Sequence, residues 1–245
     1  MSLLAASVAT AAPINYGNSP NLPPGITFIN VTESSGTDAV PLYGAPGYFN
    51  TGIDFDPTSF VASGTAGSGD ITDGQLNFGV VGNQSPTQIV AINDISVTES
   101  GDRSLFGAGT TATQLSASVS IKITVLEVDG VAVTPLVLPQ ANASVSYNLI
   151  ANPGVAQPWA LGLNYDIDAA LTAALVPYTY GATEIEVVID DTLIALSEPS
   201  SAALIAKKDF AVELDGTLTI VPEPATASLA ALATLGVLLR RRRSR

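Results

Sequence analysis

The segment Thr113–Val128 alternates apolar and polar residues more strictly than any other part of the chain. Successive side chains of a β-strand point to opposite faces, so this pattern places one face in a core and the other in water, as in an antiparallel sheet. The dipeptide Asp129-Gly130 follows it and accepts the positive φ angles of a two-residue hairpin turn. We therefore predict a central hairpin in which Val131–Leu138 is the returning strand. The inward residues of its first strand are Leu115, Ala117, Val119, Ile121, Ile123 and Val125.

Other short apolar segments, divided by turn residues, predict an all-β body over residues 26–220. We interpret it as an antiparallel β-sandwich, jelly-roll-like, because strands are many and helical signals are few. One short helix is predicted over Asp166–Val176, with Asp166 as its N-cap, and one helical turn over Pro199–Ile205. Residues 13–25 are rich in Pro, Asn and Gly and predict an irregular arm. The remaining predicted strands are Thr27–Thr32, Ser59–Ala62, Gln75–Val81, Gln88–Thr98, Ala143–Ile150, Thr183–Ile189 and a closing hairpin of Asp209–Leu214 and Thr217–Val221 around Asp215-Gly216.

Composition and charge narrow the chemistry that the chain can perform. The chain contains no Cys and no His, which excludes disulfides, thiolate nucleophiles, Ser-His-Asp triads and imidazole metal ligands. Residues 14–220 contain 21 acidic and four basic residues, a balance of −17. Such a surface repels phosphate backbones, so nucleic acid is not expected as a partner. Divalent cations and polycationic partners remain compatible with it, and so does the simpler role of keeping an exported protein in solution.

The C-terminus contains three elements in a fixed order. The first is the motif Val221, Pro222, Glu223 and Pro224, whose prolines are incompatible with a continuous helix or strand ladder. The second is the uncharged segment Ala225–Leu239, which predicts a membrane helix. Its 15 residues would span about 22 Å of a hydrocarbon layer of roughly 30 Å. The third is an arginine cluster that the positive-inside rule retains in the cytoplasm. The membrane-helix residues are Leu229, Leu232, Leu235, Val237, Leu238 and Leu239, and the cytoplasmic anchor is Arg240, Arg241, Arg242 and Arg243.

This order of motif, apolar segment and arginines resembles the PEP-CTERM sorting signal of Gram-negative-type bacteria, over residues 221–245 only. The resemblance implies export by the general secretory route, transient anchoring in the inner membrane, and cleavage near the motif by an exosortase. It also implies a mature protein at the cell surface or in an extracellular polysaccharide matrix. It implies nothing about the body, because a fold and its signal do not fix a function. An ordinary tail anchor is the alternative, but it does not account for the two prolines.

The N-terminus contains part of a second export signal. Residues 1–12 are apolar and small, and Ala9-Thr10-Ala11 has the small-x-small form of a signal-peptidase site. Signal peptidase is therefore an expected processing enzyme. No basic residue precedes the short apolar run, so we predict that the complete signal begins further upstream. A short buried strand or helix is the alternative interpretation.

Candidate chemistry within the body rests on carboxylates and aromatic rings. Paired aspartates can bind calcium, although turn formation and helix capping are simpler roles for them. Two carboxylates also suffice for a glycosidase, without indicating which pair would act. Tyr178 and Tyr180 are candidates for a sugar platform or for a loop wedged onto the core, and Lys207-Lys208 is expected at a solvated strand edge. The aspartate pairs are Asp54 with Asp56, Asp70 with Asp73, Asp166 with Asp168, and Asp190 with Asp191.

No catalytic residue and no cofactor follow from these patterns, and only calcium stays open. The sequence favours an exported, non-enzymatic protein of the cell surface or extracellular matrix. The alternatives are an exported hydrolase that acts on glycans with a carboxylate pair, and a calcium- or carbohydrate-binding module.

Overall fold

A computed structural model of the protein describes residues 12–23, 25–85 and 87–220. Within these ranges the chain forms thirteen β-strands and one α-helix, α1 (Ile167–Ala173). The strands in chain order are β1 (Ile14–Gly17), β2 (Ile26–Ser34), β3 (Gly47–Phe49), β4 (Gly52–Phe55), β5 (Val61–Thr65), β6 (Gly69–Gly82), β7 (Gln88–Ala108), β8 (Gln114–Val128), β9 (Val131–Val137), β10 (Ala141–Asn148), β11 (Gly154–Asp166), β12 (Ala182–Leu196) and β13 (Ser200–Ile220).

The strands form one curled, antiparallel, hydrogen-bonded network made of two arrays. The first array has the order β1-β2-β6-β12-β8, with β10 and β9 paired to successive parts of β8. The second array has the order β11-β7-β13, with β5 and β4 paired to successive parts of β13, and β3 paired to β4. The pair Ala182 and Ile92 links the arrays. The inward faces of both arrays contribute to one hydrophobic core.

The predicted central hairpin is confirmed. All six inward residues of β8 are at most 1% exposed. Asp129 and Gly130 form the turn, with φ angles of 54° and 75°, and β9 returns from it. The Asp129 carboxylate also accepts backbone N–H bonds from Thr179, Tyr180 and Gly181, so the turn is tied to the segment that precedes β12.

The predicted helix is confirmed at its N-terminus. The Asp166 carboxylate accepts a hydrogen bond of 2.7 Å from the Ala169 backbone N–H, as an N-cap does. Ile167 and Leu171 lie one turn apart and are buried against the core.

Gly74 and Gly79 illustrate how closely the strands pack. Each faces a bulky side chain so closely that no Cβ would fit unless that side chain moved.

Two local predictions near the C-terminus of the body are wrong. Pro199–Ile205 is not helical, because β13 begins at Ser200, and Asp215-Gly216 is a bulge within β13 rather than a hairpin turn. The physical reason is the partner strand. β7 is as long as β13 and pairs with it from Ser200–Ala108 to Ile220–Gln88, so a continuous ladder outcompetes the local turn signal.

The predicted fold class needs correction in part. The body is all-β and antiparallel, as predicted, and its two arrays face one core, but they belong to one hydrogen-bonded network, linked through Ala182 and Ile92, rather than to the two separate sheets of a jelly roll. The predicted transmembrane helix is not found. In the described ranges α1 has seven residues, and no helix there is long and apolar enough to cross a membrane. Four predicted segments lie outside the described residues: residues 1–11 of the signal predicted over residues 1–12, the motif Val221–Pro224, the membrane segment Ala225–Leu239 and the arginine cluster.

Candidate functional site

The most distinctive chemical feature of the structure is a buried ion cluster of Lys207, Glu99 and Asp191. These residues come from β13, β7 and β12, so the cluster lies between the two arrays. They are 1%, 3% and 1% exposed. The Lys207 Nζ atom lies 2.7 Å from Asp191 Oδ2 and is also in contact with Glu99 Oε2.

Aromatic rings enclose the ammonium group. Nζ lies 4.5 Å from the ring centre of Phe60, 4.8 Å from that of Phe210 and 5.4 Å from that of Tyr43. Tyr43 packs edge-on against both phenylalanines, with ring centres 5.1 Å and 5.2 Å apart. Its hydroxyl donates a hydrogen bond of 2.6 Å to Asp191 Oδ2. The cluster is therefore sealed by apolar surface, where electrostatic interactions are stronger than in water.

Strand alternation explains how each charged residue reaches the core. Asp191 continues the inward series of Ile189 and Leu193 in β12, and Glu99 continues that of Val97 in β7. Lys207 continues the inward series of Ile205 in β13 and occupies the start of a bulge.

A second buried carboxylate positions Tyr43. Glu33 is fully buried and accepts hydrogen bonds from the backbone N–H groups of Leu42 and Tyr43 and, at 2.6 Å, from the Tyr16 hydroxyl. This segment between β2 and β3 has no regular structure of its own at Leu42 and Tyr43. Glu33 therefore supplies the acceptors that hold Tyr43 over the ion cluster.

Burial controls the protonation of the cluster. Desolvation raises the pKa of Glu99 to about 7, against the attraction of Lys207 and with a further contribution from the charge of Asp191. Desolvation, and then the charge of Asp191, raises the pKa of Tyr43 well above its usual range, so Tyr43 is a hydrogen-bond donor at neutral pH.

Several polar atoms of the cluster have no hydrogen-bond partner among the described residues. These are Oδ1 of Asp191 and both carboxylate oxygens of Glu99. The contacts of Nζ with the carboxylates are short, but they do not have the angles of hydrogen bonds. The cluster thus holds an ammonium, a carboxylate and a titrating carboxyl group in contact, without the hydrogen bonds that usually compensate buried charges.

The expectation that Lys207-Lys208 lies at a solvated strand edge is wrong for Lys207. Lys208 is exposed and forms an ion pair with Asp102, whereas Lys207 is in the core. A signal was available in the sequence. In β13 the inward residues have odd numbers up to Ile205 and even numbers from Phe210 onward. A strand keeps the same parity unless an extra residue is inserted, so this change indicates a β-bulge between the two residues.

The predicted aspartate pairs have structural roles in the described parts of the chain. Asp73 Oδ1 binds the turn at residues 35–37, and Asp70 accepts the Ser63 backbone N–H. Asp168 accepts a hydrogen bond from Asn93 at 2.8 Å. Asp54 lies near Asp209 and Asp56, and desolvation followed by the charges of these two residues raises the pKa of Asp54. Residues 12–23, 25–85 and 87–220 contain no group of three or more acidic residues arranged to hold a metal ion.

The tyrosines near α1 are partly buried. The Tyr178 hydroxyl lies 3.2 Å from the Thr172 hydroxyl and donates to the Asp168 carbonyl oxygen. Its ring packs against the core. Tyr178 therefore fastens the loop onto α1, which is the wedge that the sequence offered as the alternative to a sugar platform.

The outward side of the first array carries two rows of polar residues, which together form its polar face. Cross-strand pairing aligns Asn142, Ser120, Asp190 and Gln75 in one row and Ser144, Ser118, Thr192 and Asp73 in the next. Gln75 donates a hydrogen bond of 2.6 Å to Asp190. Most of these side chains are short and uncharged, so their hydroxyl and amide groups lie close to the sheet surface.

Comparisons with known proteins give no family assignment. No family model matches the chain, and no curated protein matches it. Among solved structures, the carbohydrate-binding module TmCBM61 with beta-1,4-galactotriose is 10% identical, with 76% of this chain and 82% of that chain covered and a TM-score of 0.19. The CBM22-1–GH10 modules of Clostridium thermocellum xylanase 10B with xylohexaose are 8% identical, with 64% and 25% covered and a TM-score of 0.20.

A third solved structure, metal-free lectin I-B4 from Griffonia simplicifolia, is 8% identical. The alignment covers 84% of this chain and all of the lectin, with a TM-score of 0.19. Likenesses of this size carry no argument about the fold or the function of this chain, so the functional proposals below rest on its own residues.

Proposed function

We propose that this chain is an exported, non-enzymatic structural protein of the cell surface or extracellular matrix, delivered by a PEP-CTERM signal at residues 221–245. The observation that carries the structural role is the sealed position of the Lys207–Glu99–Asp191 cluster. Because the charged groups of this cluster are buried, they can interact with other groups of the protein but not with an external substrate. The motif Val221–Pro224, directly after β13, supports the route of export.

The same observation argues against the hydrolase alternative at this position. Glu99 and Asp191 have the character of an acid–base pair, since one titrates near neutrality and the other lies beside it. A glycosidase, however, must place its carboxyl groups on either side of a glycosidic bond. Two carboxyl groups at 3% and 1% exposure, covered by Tyr43, Phe60 and Phe210, leave no path for a sugar.

Mass spectrometry of the mature protein from its native host tests the export route. We expect both termini to be processed, with the chain ending near Pro222–Pro224. The Glu223→Ala variant should accumulate unprocessed, whereas Thr226→Ala, a neighbouring change outside the motif, should mature normally. Surface-localised protein that retains Arg245, in a host with an exosortase, would contradict the proposed sorting. Polysaccharide turnover that is lost on a single Asp→Asn or Glu→Gln change would contradict the non-enzymatic role.

A second function, contact with extracellular polysaccharide, is favoured by the polar face of the first array. Sugar hydroxyls both donate and accept hydrogen bonds, and so do the serine, threonine and amide side chains in the two rows. The rows contain no aromatic ring on which a sugar could stack, so binding at each unit should be weak. Affinity would then come from many contacts along a polymer.

Co-sedimentation with insoluble matrix polysaccharide from the host tests this second function. The double variant Ser118→Lys and Ser120→Lys puts long side chains into both rows and should reduce the bound fraction. Ser63→Lys places the same side chain at an exposed position of β5, in the second array, and is the matched control. Equal binding by the two variants, at equal melting temperature, would exclude the polar face.

A further inference from the structure

The buried ion cluster contains the two groups from which an amide bond can form. An ammonium group and a carboxylate group are in contact, a third group that can carry a proton lies beside them, and water is excluded. Lys207 and Asp191 belong to different arrays, so a bond between them would join the two halves of the fold. A fully buried charged pair without good hydrogen bonds is costly, and a neutral product of the same atoms would remove that cost.

We propose that Lys207 and Asp191 react with each other to form an intramolecular amide between Nζ and Cγ, which cross-links β13 to β12. This inference goes beyond the proposed function and does not depend on where the protein is delivered.

The reaction balances without any other reagent. Glu99 accepts a proton from the Lys207 ammonium, and the lone pair of Nζ attacks Cγ of Asp191. A C–N bond forms, one C–O bond of the carboxyl group breaks, and the departing oxygen takes up two protons, the first lost by Nζ as the amide forms and the second delivered by Glu99. One ammonium and one carboxylate thus become one amide and one water molecule, and nothing is oxidised or reduced.

The geometry supplies what this step needs. Nζ lies 2.7 Å from Asp191 Oδ2, which is bonded to Cγ, so the fold holds the nucleophile next to the carbon that it must attack. The Tyr43 hydroxyl donates to that same oxygen and can stabilise the negative charge that develops on it during attack. The pKa of Glu99, raised by burial to about 7, suits a group that must both accept and release a proton near neutrality.

The same contacts favour Asp191 over Glu99 as the residue that acylates Lys207. Asp191 receives the Tyr43 hydrogen bond, whereas both oxygens of Glu99 lack a hydrogen-bond donor among the described residues. Glu99 also lies on β7, which already pairs with β13 beside Lys207 through Gly101. Asp191 is the carboxyl group that is activated, and Glu99 is the one that is free to carry the proton.

Intact-mass spectrometry of the purified, folded full chain tests the proposal directly. The wild-type protein should be lighter than its sequence mass by one water molecule, under denaturing conditions as well. Lys207→Met removes the nucleophile and Glu99→Gln removes the proton carrier while keeping the side-chain shape, so both should have the full sequence mass. Lys208→Met is the matched control, since Lys208 is exposed, and it should keep the loss of one water.

Peptide mapping locates the bond. Trypsin does not cleave after an acylated lysine, so the cut after Lys207 should be missing while the cut after Lys208 remains. Chymotryptic cleavage after Leu196 and Leu204 should leave the Asp191 and Lys207 peptides joined. Full sequence mass in folded wild-type protein would overturn the proposal, and so would a bond from Lys207 to Glu99. The wild-type measurement decides the matter even if Lys207→Met fails to fold, and Glu99→Gln supplies the second variant.

Discussion

A glycine beside the ion cluster gives the sharpest test of the packing. Gly101 in β7 pairs with Lys207 at the bulge of β13, where Lys207 and Asp209 oppose Gly101 and Ser100. A Cβ atom added at Gly101 would lie 1.9 Å from the Ala206 carbonyl oxygen and 3.1 Å from the Lys207 Cα atom. Both are backbone atoms, so no side-chain rotation relieves the contact.

The expected cost of Gly101→Ala follows from that distance. The Ala206 carbonyl must move by about 1.5 Å to reach an ordinary contact, and it then loses the hydrogen bond of 3.0 Å that Trp159 Nε1 donates to it. Overpacking of a core costs about 1–3 kcal/mol, and a lost buried hydrogen bond adds roughly 1 kcal/mol or more. For a domain of this size, a loss of ~3 kcal/mol lowers the melting temperature by about 6–12 °C.

Thermal unfolding followed by fluorescence measures this effect at its source, because Trp159 is the single tryptophan of the sequence. It is 3% exposed, so release of its Nε1 bond and entry of water should shift its emission to longer wavelength. Gly162→Ala is the matched control on the neighbouring strand β11, since its Cβ would meet nothing nearer than the Val97 carbonyl oxygen at 3.9 Å. A Gly101→Ala protein that melts with wild type and keeps its emission would refute this account of the bulge.

Three further predictions address the core, a turn and the titrating carboxyl group. Val119→Asp should unfold the domain because it buries a carboxylate without a partner, whereas Ser120→Asp on the outer face should keep the wild-type circular dichroism spectrum. A folded Val119→Asp protein would contradict the burial assigned to this face. Asp73→Ala should cost about 1–3 kcal/mol in urea unfolding, because Oδ1 accepts four hydrogen bonds at residues 35–37, and Asp73→Asn, which keeps that oxygen, should cost measurably less. The pKa of Glu99 is raised from 4.5 to about 7, so its stabilising contribution is complete below about pH 4.5 and is lost as the pH rises through about 7. Glu99→Gln should remove this slope from melting temperatures measured between those values, and an unchanged slope would mean that another group titrates.

Features fixed by neighbouring residues could be predicted from the sequence. The alternation in β8 and the turn at Asp129-Gly130 depend on local geometry, and so does the Asp166 cap of α1. Features fixed by a distant partner could not. β11 was missed because its residues are mostly exposed and include Pro158, which an edge strand tolerates, and it becomes a strand only through pairing with β7.

The candidate site was hidden by the same limitation. Adjacent aspartates such as Asp190-Asp191 are usually found in turns, yet here they lie within β12, and their side chains point to opposite faces. Their burial pattern follows once the inward series of β12 is extended beyond Ile189. The meeting of Asp191 with Glu99 and Lys207 cannot be read from any one strand, because it depends on how the two arrays face each other.

The bulge in β13 explains how one strand supplies both the cation and part of its enclosure. In a regular strand, Lys207 and Phe210 would point to opposite faces, since they are an odd number of residues apart. The extra residue at the bulge changes the phase, so Lys207 and Phe210 both face the core and the Phe210 ring centre lies 4.8 Å from Nζ. Lys208 is the residue displaced outward, where it pairs with Asp102 in solvent. Two adjacent lysines with the same charge therefore have opposite environments because of backbone register alone, and that register is what gives Lys207 its reactive neighbours.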